Sequence, residues 1–202
     1  MNNPTTLPAT THEPESAHDG NANRKFGIWL FLSSELLIFC GLIVAFLVVK
    51  AQAEKWPKLT EGTPFFLVTL NTFILLASSY TVVKAIQAAQ RNNNKRLSLF
   101  ILISGVLGLM FIAGQAVEYT NLFSEGFGFK EDDPFGTAFF ILTGLHGLHV
   151  LAGVIWATLV ASRARAGAYT AANYTSVEMF GLYWHFVDLV WVLIFTVIYL
   201  LG

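Results

Sequence analysis

One stretch near the end of the chain decides the fold: EMFGLYWHFVDLVW, residues 178–191. It opens an apolar segment that runs to Leu201 and is long enough to cross a bilayer as a helix. His185 and Asp188 follow Glu178 by seven and ten residues, so the three side chains share one arc of that helix. Exposing such side chains to hydrocarbon costs several kcal/mol. We therefore predict that this polar face is buried in protein.

The composition of the whole chain indicates a membrane protein. Of its 202 residues, 54% are hydrophobic and 12% are charged, and the net charge is -1. Soluble domains carry about twice that charged fraction, and the near-neutral balance argues against nucleic acid as a partner. Apolar stretches of membrane-spanning length predict an all-α, polytopic bundle of five transmembrane helices. The predicted spans are approximately residues 27–49, 65–89, 97–117, 135–161 and 178–201.

The predicted domain division has two parts. Residues 1–23 are polar, contain three prolines and have no apolar run, so we predict a disordered tail. Residues 24–202 form the predicted five-helix transmembrane domain.

The distribution of basic residues predicts the orientation. Eight of the 12 Lys and Arg residues belong to the side of the bundle that holds the N-terminus, and four belong to the other side. Because basic residues are enriched in cytoplasmic loops, we expect the N-terminus in the cytoplasm and the C-terminus outside.

Glu35 is a carboxyl group inside the first predicted span. Apolar residues flank it on its own helix face, and nothing on that helix can neutralise it. It therefore has a partner on another helix, or it is protonated. An intramembrane carboxyl group suggests function, although structural hydrogen bonding is the alternative.

Two histidines in the fourth span, His146 and His149, share a helix face, three residues apart. This spacing is compatible with a haem or copper site, but such a site needs further ligands on facing helices. His185 is one candidate, and no thiolate is well placed. Nearby glycines indicate close approach of a neighbouring helix. We favour packed, hydrogen-bonded histidines and predict no metal ligands.

The third span ends with two further polar residues, Gln115 and Glu118. The predicted orientation places both at the outer membrane interface, where residues of these types are common. They complete the set of candidate residues, none of which we interpret as catalytic.

Several stretches of the chain carry a more specific signal: GIWLFLSSE at 27–35, LNT at 70–72 with Ser78 and Ser79, QAVEY at 115–119, FGTAFFILTGLHGLHV at 135–150 and YWHFVDLVW at 183–191. Taken together and in this order, they resemble subunit III of the haem–copper respiratory oxidases. The resemblance covers nearly everything after the tail. The mitochondrial-type subunit has seven helices, so this chain is similar to the shorter bacterial form with five.

The resemblance implies an accessory subunit that carries no haem or copper and packs directly on subunit I, where oxygen is reduced. Such a subunit is expected to hold phospholipid, to support proton uptake and to slow inactivation during turnover, with Glu35 matching an intramembrane glutamate of the family. His146, His149, Glu178, His185 and Asp188 would then form a structural polar face. The two absent helices mean that one wall of the lipid cleft is missing or comes from another subunit.

The resemblance further implies a multi-pass protein of the bacterial cytoplasmic membrane, in contact with other oxidase subunits or a respiratory supercomplex. Cytochrome c is favoured over quinol as the electron donor. Two other functions stay open: an accessory subunit of nitric oxide reductase, and an autonomous proton or small-solute transporter. The absence of an obvious inverted repeat in the sequence argues against the transporter.

Overall fold

The structure of the protein is a computed structural model, and it describes residues 15–53, 56–57, 63–130 and 132–201. The described residues form five helices that are long and apolar enough to span a membrane, which confirms the predicted all-α architecture. The helices are α1 (Glu15–Gln52), α2 (Thr63–Gln90), α3 (Asn94–Ser124), α4 (Pro134–Arg165) and α5 (Thr175–Phe195), followed by a π-helical turn (Thr196–Leu200).

Two helix ends differ most from the sequence-based boundaries. Helix α1 begins at Glu15, inside the segment predicted to be a disordered tail, while residues 1–14 lie outside the described residues. Helix α3 continues to Ser124 and ends just before Gly126, whose φ of 95° lets the chain turn away. Because hydropathy falls before the backbone leaves the helix, the sequence pattern placed this end too early.

Side-chain caps fix the two short connections on either side of α3. The turn between α2 and α3 contains Asn92 at a φ of 53°, and the Asn93 side chain accepts a hydrogen bond from the Arg96 backbone N–H at 3.0 Å. Before α4, the Asp133 carboxylate accepts from the backbone N–H groups of Gly128 and Gly136, both at 2.8 Å. These caps satisfy backbone donors that a helix start leaves free.

The helices pack so that α5 is the most enclosed. Helices α2, α3 and α4 are sequential neighbours, α5 lies against α2 and α4, and α1 lies against α4 and α5. The indole ring of Trp184 fills the space beside two glycines: a Cβ at Gly108 would lie 2.8 Å from it, and a Cβ at Gly153 would lie 2.7 Å from it. The two glycines thus accommodate a tryptophan side chain of α5.

Helix α1 presents most of its apolar side chains outward and contacts the bundle with a narrow stripe that includes Phe39 and Phe46. Three polar contacts fix it at different heights. Lys25 Nζ lies 2.9 Å from Glu178 Oε2, Glu35 contacts His149, and the Lys50 ammonium donates to the Leu201 carbonyl.

Candidate functional site

The polar contact closest to the middle of α1 joins two residues singled out in the sequence. Glu35 Oε2 lies 3.1 Å from His149 Nε2, and the two side chains are 15% and 14% exposed. The other ring nitrogen of His149, Nδ1, lies 2.8 Å from the Leu145 carbonyl oxygen. Sequence analysis assigned Glu35 no specific partner, because residues 114 positions apart meet only through helix packing.

The geometry determines where protons can reside. A carbonyl oxygen only accepts hydrogen bonds, so His149 Nδ1 carries a proton and donates it to Leu145. The contact between Nε2 and Glu35 then requires one further proton, held either by the imidazole or by the carboxyl group. In both forms the pair has no net charge, and moving the proton between these two atoms changes no net charge in the bundle.

His146 has a different environment from its neighbour three residues on. Its side chain is fully buried, and neither ring nitrogen has a hydrogen-bond partner among the described residues. Aromatic rings surround it instead, with centroid distances of 4.9 Å to Trp191, 5.7 Å to Phe111 and 6.4 Å to Phe39. His146 is therefore packed among other side chains, as expected, but it lacks the expected hydrogen bond to a neighbouring helix.

The polar arc of α5, formed by Glu178, His185 and Asp188, contacts two different helices. Glu178 pairs with Lys25 on α1, whereas His185 Nδ1 shares a hydrogen bond of 2.5 Å with Ser79 Oγ on α2. Asp188 is 4% exposed, and its carboxyl oxygens make no hydrogen bond of normal geometry with the described residues, although the Ser79 hydroxyl group lies close to them. His185 and Asp188 thus both lie next to Ser79 on α2, whereas Glu178 is separate from them and pairs with α1.

Small hydroxyl residues on α2 are hydrogen-bond partners of two tryptophans on α5, a role that was not predicted from the sequence. Trp191 Nε1 donates to Thr72 Oγ1 at 2.9 Å, and Trp184 Nε1 donates to Ser78 Oγ at 2.8 Å. Each hydroxyl donates in turn to a carbonyl oxygen of its own helix. The sequence contained a sign of this pairing. Trp184 and Trp191 are seven residues apart, and Thr72 and Ser78 are six residues apart, so the two pairs have nearly the same spacing.

The residues predicted at the outer interface lie buried between helices. Gln115 Nε2 donates to the Thr143 carbonyl oxygen at 2.8 Å and to the Tyr119 hydroxyl at 3.1 Å. The Glu118 carboxylate accepts from the hydroxyl group of Tyr199, in the π-helical turn. These contacts join α3 to α4 and to the end of the chain. The depth of these residues in a membrane stays a prediction.

No group of three or more His, Cys, Asp and Glu residues that could hold a metal ion occurs in the described part of the chain. The fold and these contacts define the class: a multi-pass helical membrane protein whose buried polar residues pair across helices.

Comparison with known proteins identifies the family. Residues 11–202 match the family described as Cytochrome c oxidase subunit III, and the chain belongs to it. Among its relatives, Cytochrome c oxidase subunit 3 of Synechocystis is 38% identical over 95% of this chain and 83% of the relative, and that of Thermostichus vulcanus is 35% identical over 93% and 92%. Cytochrome bo(3) ubiquinol oxidase subunit 3 of Pseudomonas aeruginosa is 33% identical over 95% and 91%. The protein is therefore subunit III of a haem–copper oxidase complex.

Proposed function

We propose that this subunit carries no redox centre, packs directly on subunit I and supports its proton supply and its stability during turnover. In this proposal the haem and copper belong to subunit I, and the Glu35–His149 pair is the part of this chain that serves proton uptake. The complex resides in the bacterial cytoplasmic membrane, alone or in a supercomplex, and phospholipid binds to this subunit.

The observation that carries the proposal is the geometry of the pair. Glu35 and His149 hold one proton across a 3.1 Å contact while the Leu145 carbonyl keeps the imidazole in a fixed orientation. Both side chains keep about one seventh of their surface exposed on the surface of the bundle. In this proposal the N-terminus lies in the cytoplasm, so Glu35 lies on the cytoplasmic side of the midplane, the side from which an oxidase takes protons.

We propose cytochrome c as the electron donor, because two of the three relatives described above carry that name. The relative from Pseudomonas aeruginosa is named as part of a ubiquinol oxidase, which makes quinol the alternative. Oxygen consumption by the purified complex with reduced cytochrome c, compared with a quinol, distinguishes the two.

The proposed role of Glu35 is tested with two substitutions in the assembled oxidase. Glu35→Gln keeps the size of the side chain but cannot ionise, and Glu35→Ala also removes its packing. We expect both variants to turn over more slowly at alkaline pH, or to inactivate faster, with normal haem spectra. Glu125→Gln serves as the matched control, because Glu125 lies exposed after α3.

The two substitutions separate the possible roles of the carboxyl group. Normal behaviour of Glu35→Gln with failure of Glu35→Ala would assign Glu35 to hydrogen bonding or packing. Wild-type turnover and lifetime in both variants, with the subunit still bound, would refute the proposed role.

A further inference from the structure

A groove between the end of α2 and the start of α3 contains a cluster of basic side chains, and the inference drawn from it rests on the proposal above that phospholipid binds to this subunit. Its volume is about 240 Å³, and it is lined by Lys84, Gln87, Ala88, Arg91, Asn93, Arg96 and Phe100. Three of these residues are cationic. None of the three forms an ion pair with a carboxylate among the described residues, where the recorded pairs are Lys25–Glu178 and His149–Glu35.

The groove continues along an apolar surface on both helices. On α2, Arg91, Gln87, Lys84 and Tyr80 follow one another at intervals of three or four residues, so they share one face. Exposed Leu76 and Phe73 extend that face toward the start of the helix. The Lys84 ammonium lies 5.2 Å from the centre of the Tyr80 ring, at the boundary between the cationic and apolar parts.

Helix α3 also has a basic residue near the turn followed by apolar residues on the same face, but it runs away from the turn, whereas α2 runs toward it. Arg96, Phe100 and Ile103 are spaced by four and three residues, so a basic residue near the turn leads into apolar side chains on the same face. Side chains of both faces, among them Lys84, Arg91 and Phe100, line this groove, so the two faces flank one channel. Its cationic end lies at the α2–α3 turn, and its apolar part lies on the membrane-spanning length of the helices.

We propose that this groove binds an anionic phospholipid, with the phosphate held by Lys84, Arg91 and Arg96 and an acyl chain lying along Tyr80, Leu76 and Phe100. Guanidinium groups bind phosphate through paired N–H donors, and the three uncompensated cations favour a net negative headgroup over a zwitterionic one. A free phosphate ion would use the same cations, but it would leave the apolar channel without a role. The site is independent of the Glu35–His149 pair.

The test compares two double substitutions at the same end of the bundle in the purified oxidase complex. Arg91→Gln with Arg96→Gln removes two cations from the groove. Lys95→Gln with Arg165→Gln removes two cations that line a separate cavity of about 550 Å³ between α3 and α4. Native mass spectrometry of the detergent-solubilised complex, titrated with phosphatidylglycerol or phosphatidylcholine, gives the number and affinity of bound lipids.

We expect the wild-type complex to bind phosphatidylglycerol more tightly than phosphatidylcholine. The groove double variant should lose roughly thirtyfold in affinity, since each juxtamembrane cation contributes about fivefold. The control double variant should stay within about twofold of wild type on the same scale. If the groove double variant does not assemble, the milder Lys84→Gln should still lose about fivefold.

Three results would overturn the proposal. One is equal loss in both double variants, which would indicate a general effect of surface charge. Another is equal affinity for glycerophosphoglycerol, the headgroup without acyl chains, and for phosphatidylglycerol, which would show that the apolar channel contributes nothing and that a phosphate group alone is the ligand. The third is no preference for phosphatidylglycerol in the wild-type complex, which would mean that the groove is covered or empty.

Discussion

His149 Nε2 lies 3.1 Å from Glu35 Oε2, and this contact joins α4 to α1 near the middle of α1. It stands between two other polar contacts of the same helix, Lys25 with Glu178 toward one end and Lys50 with the Leu201 carbonyl toward the other. Apolar packing alone constrains α1 weakly, because most of its large apolar side chains face outward. The polar contacts therefore define both the rotation and the height of α1 against the bundle.

The contact between Gly153 and Trp184 predicts a large effect from one added methyl group. A Cβ at position 153 would lie 2.7 Å from the ring of Trp184, which is fully buried and hydrogen-bonded to Ser78. Since the ring cannot retreat, Gly153→Ala should lower the free energy of unfolding by roughly 1–3 kcal/mol. Thermal denaturation of the subunit in the detergent-solubilised complex measures this change.

Gly41 provides the matched control for that substitution. It also lies within a membrane-spanning helix, but no atom lies within 4 Å of the position that a Cβ would occupy. Gly41→Ala should be neutral or slightly stabilising, because alanine favours a helix interior by roughly 0.5–1 kcal/mol. Equal effects of the two substitutions would contradict the assigned packing of Trp184.

The orientation of the five helices is predicted from charge. Of the 12 Lys and Arg residues, eight lie toward the N-terminal side of the bundle, so the N-terminus is expected in the cytoplasm and the C-terminus outside. A reporter that is active only in the cytoplasm should therefore be silent when fused to the C-terminus. The same reporter at the N-terminus is the control and should be active. The reverse pattern would place the Glu35–His149 pair in the outer half of the membrane.

Replacing His149 tests whether the histidines bind metal. Nδ1 of His149 donates to the Leu145 carbonyl oxygen and Nε2 contacts Glu35, so neither ring nitrogen is free for a metal ion. We expect His149→Gln to leave the haem spectrum and the copper content of the assembled complex unchanged. Loss of one haem or one copper per complex, with this subunit still present, would show that the assignment is wrong.

Sequence periodicity predicted the helices and the burial of Asp188, but it could not identify polar partners. Hydropathy reports where a segment spans the membrane, and spacing reports which residues share a face. Neither quantity reports which helix that face meets. Glu178 and His185 share an arc of α5, yet one contacts α1 and the other contacts α2. His146 and His149 likewise share a face, and only His149 has hydrogen bonds.

Asp188 yields the last prediction. If a buried carboxyl group on this polar face were hydrogen-bonded across helices, Asp188→Leu would leave its partner unsatisfied and loosen the subunit. Asp188 is 4% exposed and makes no hydrogen bond of normal geometry with the described residues, and the nearby Ser79 hydroxyl group is already bonded to His185.

Burying an unpaired polar group costs roughly 1–3 kcal/mol, and an apolar residue of similar volume avoids that cost. We therefore expect Asp188→Leu to be at least as stable as wild type in thermal denaturation, and to stay in the complex. Asp188→Asn should gain nothing, because its amide is equally buried. A clear loss of stability in Asp188→Leu alone would mean that a bound water or another subunit pairs with this carboxyl group in the assembled oxidase.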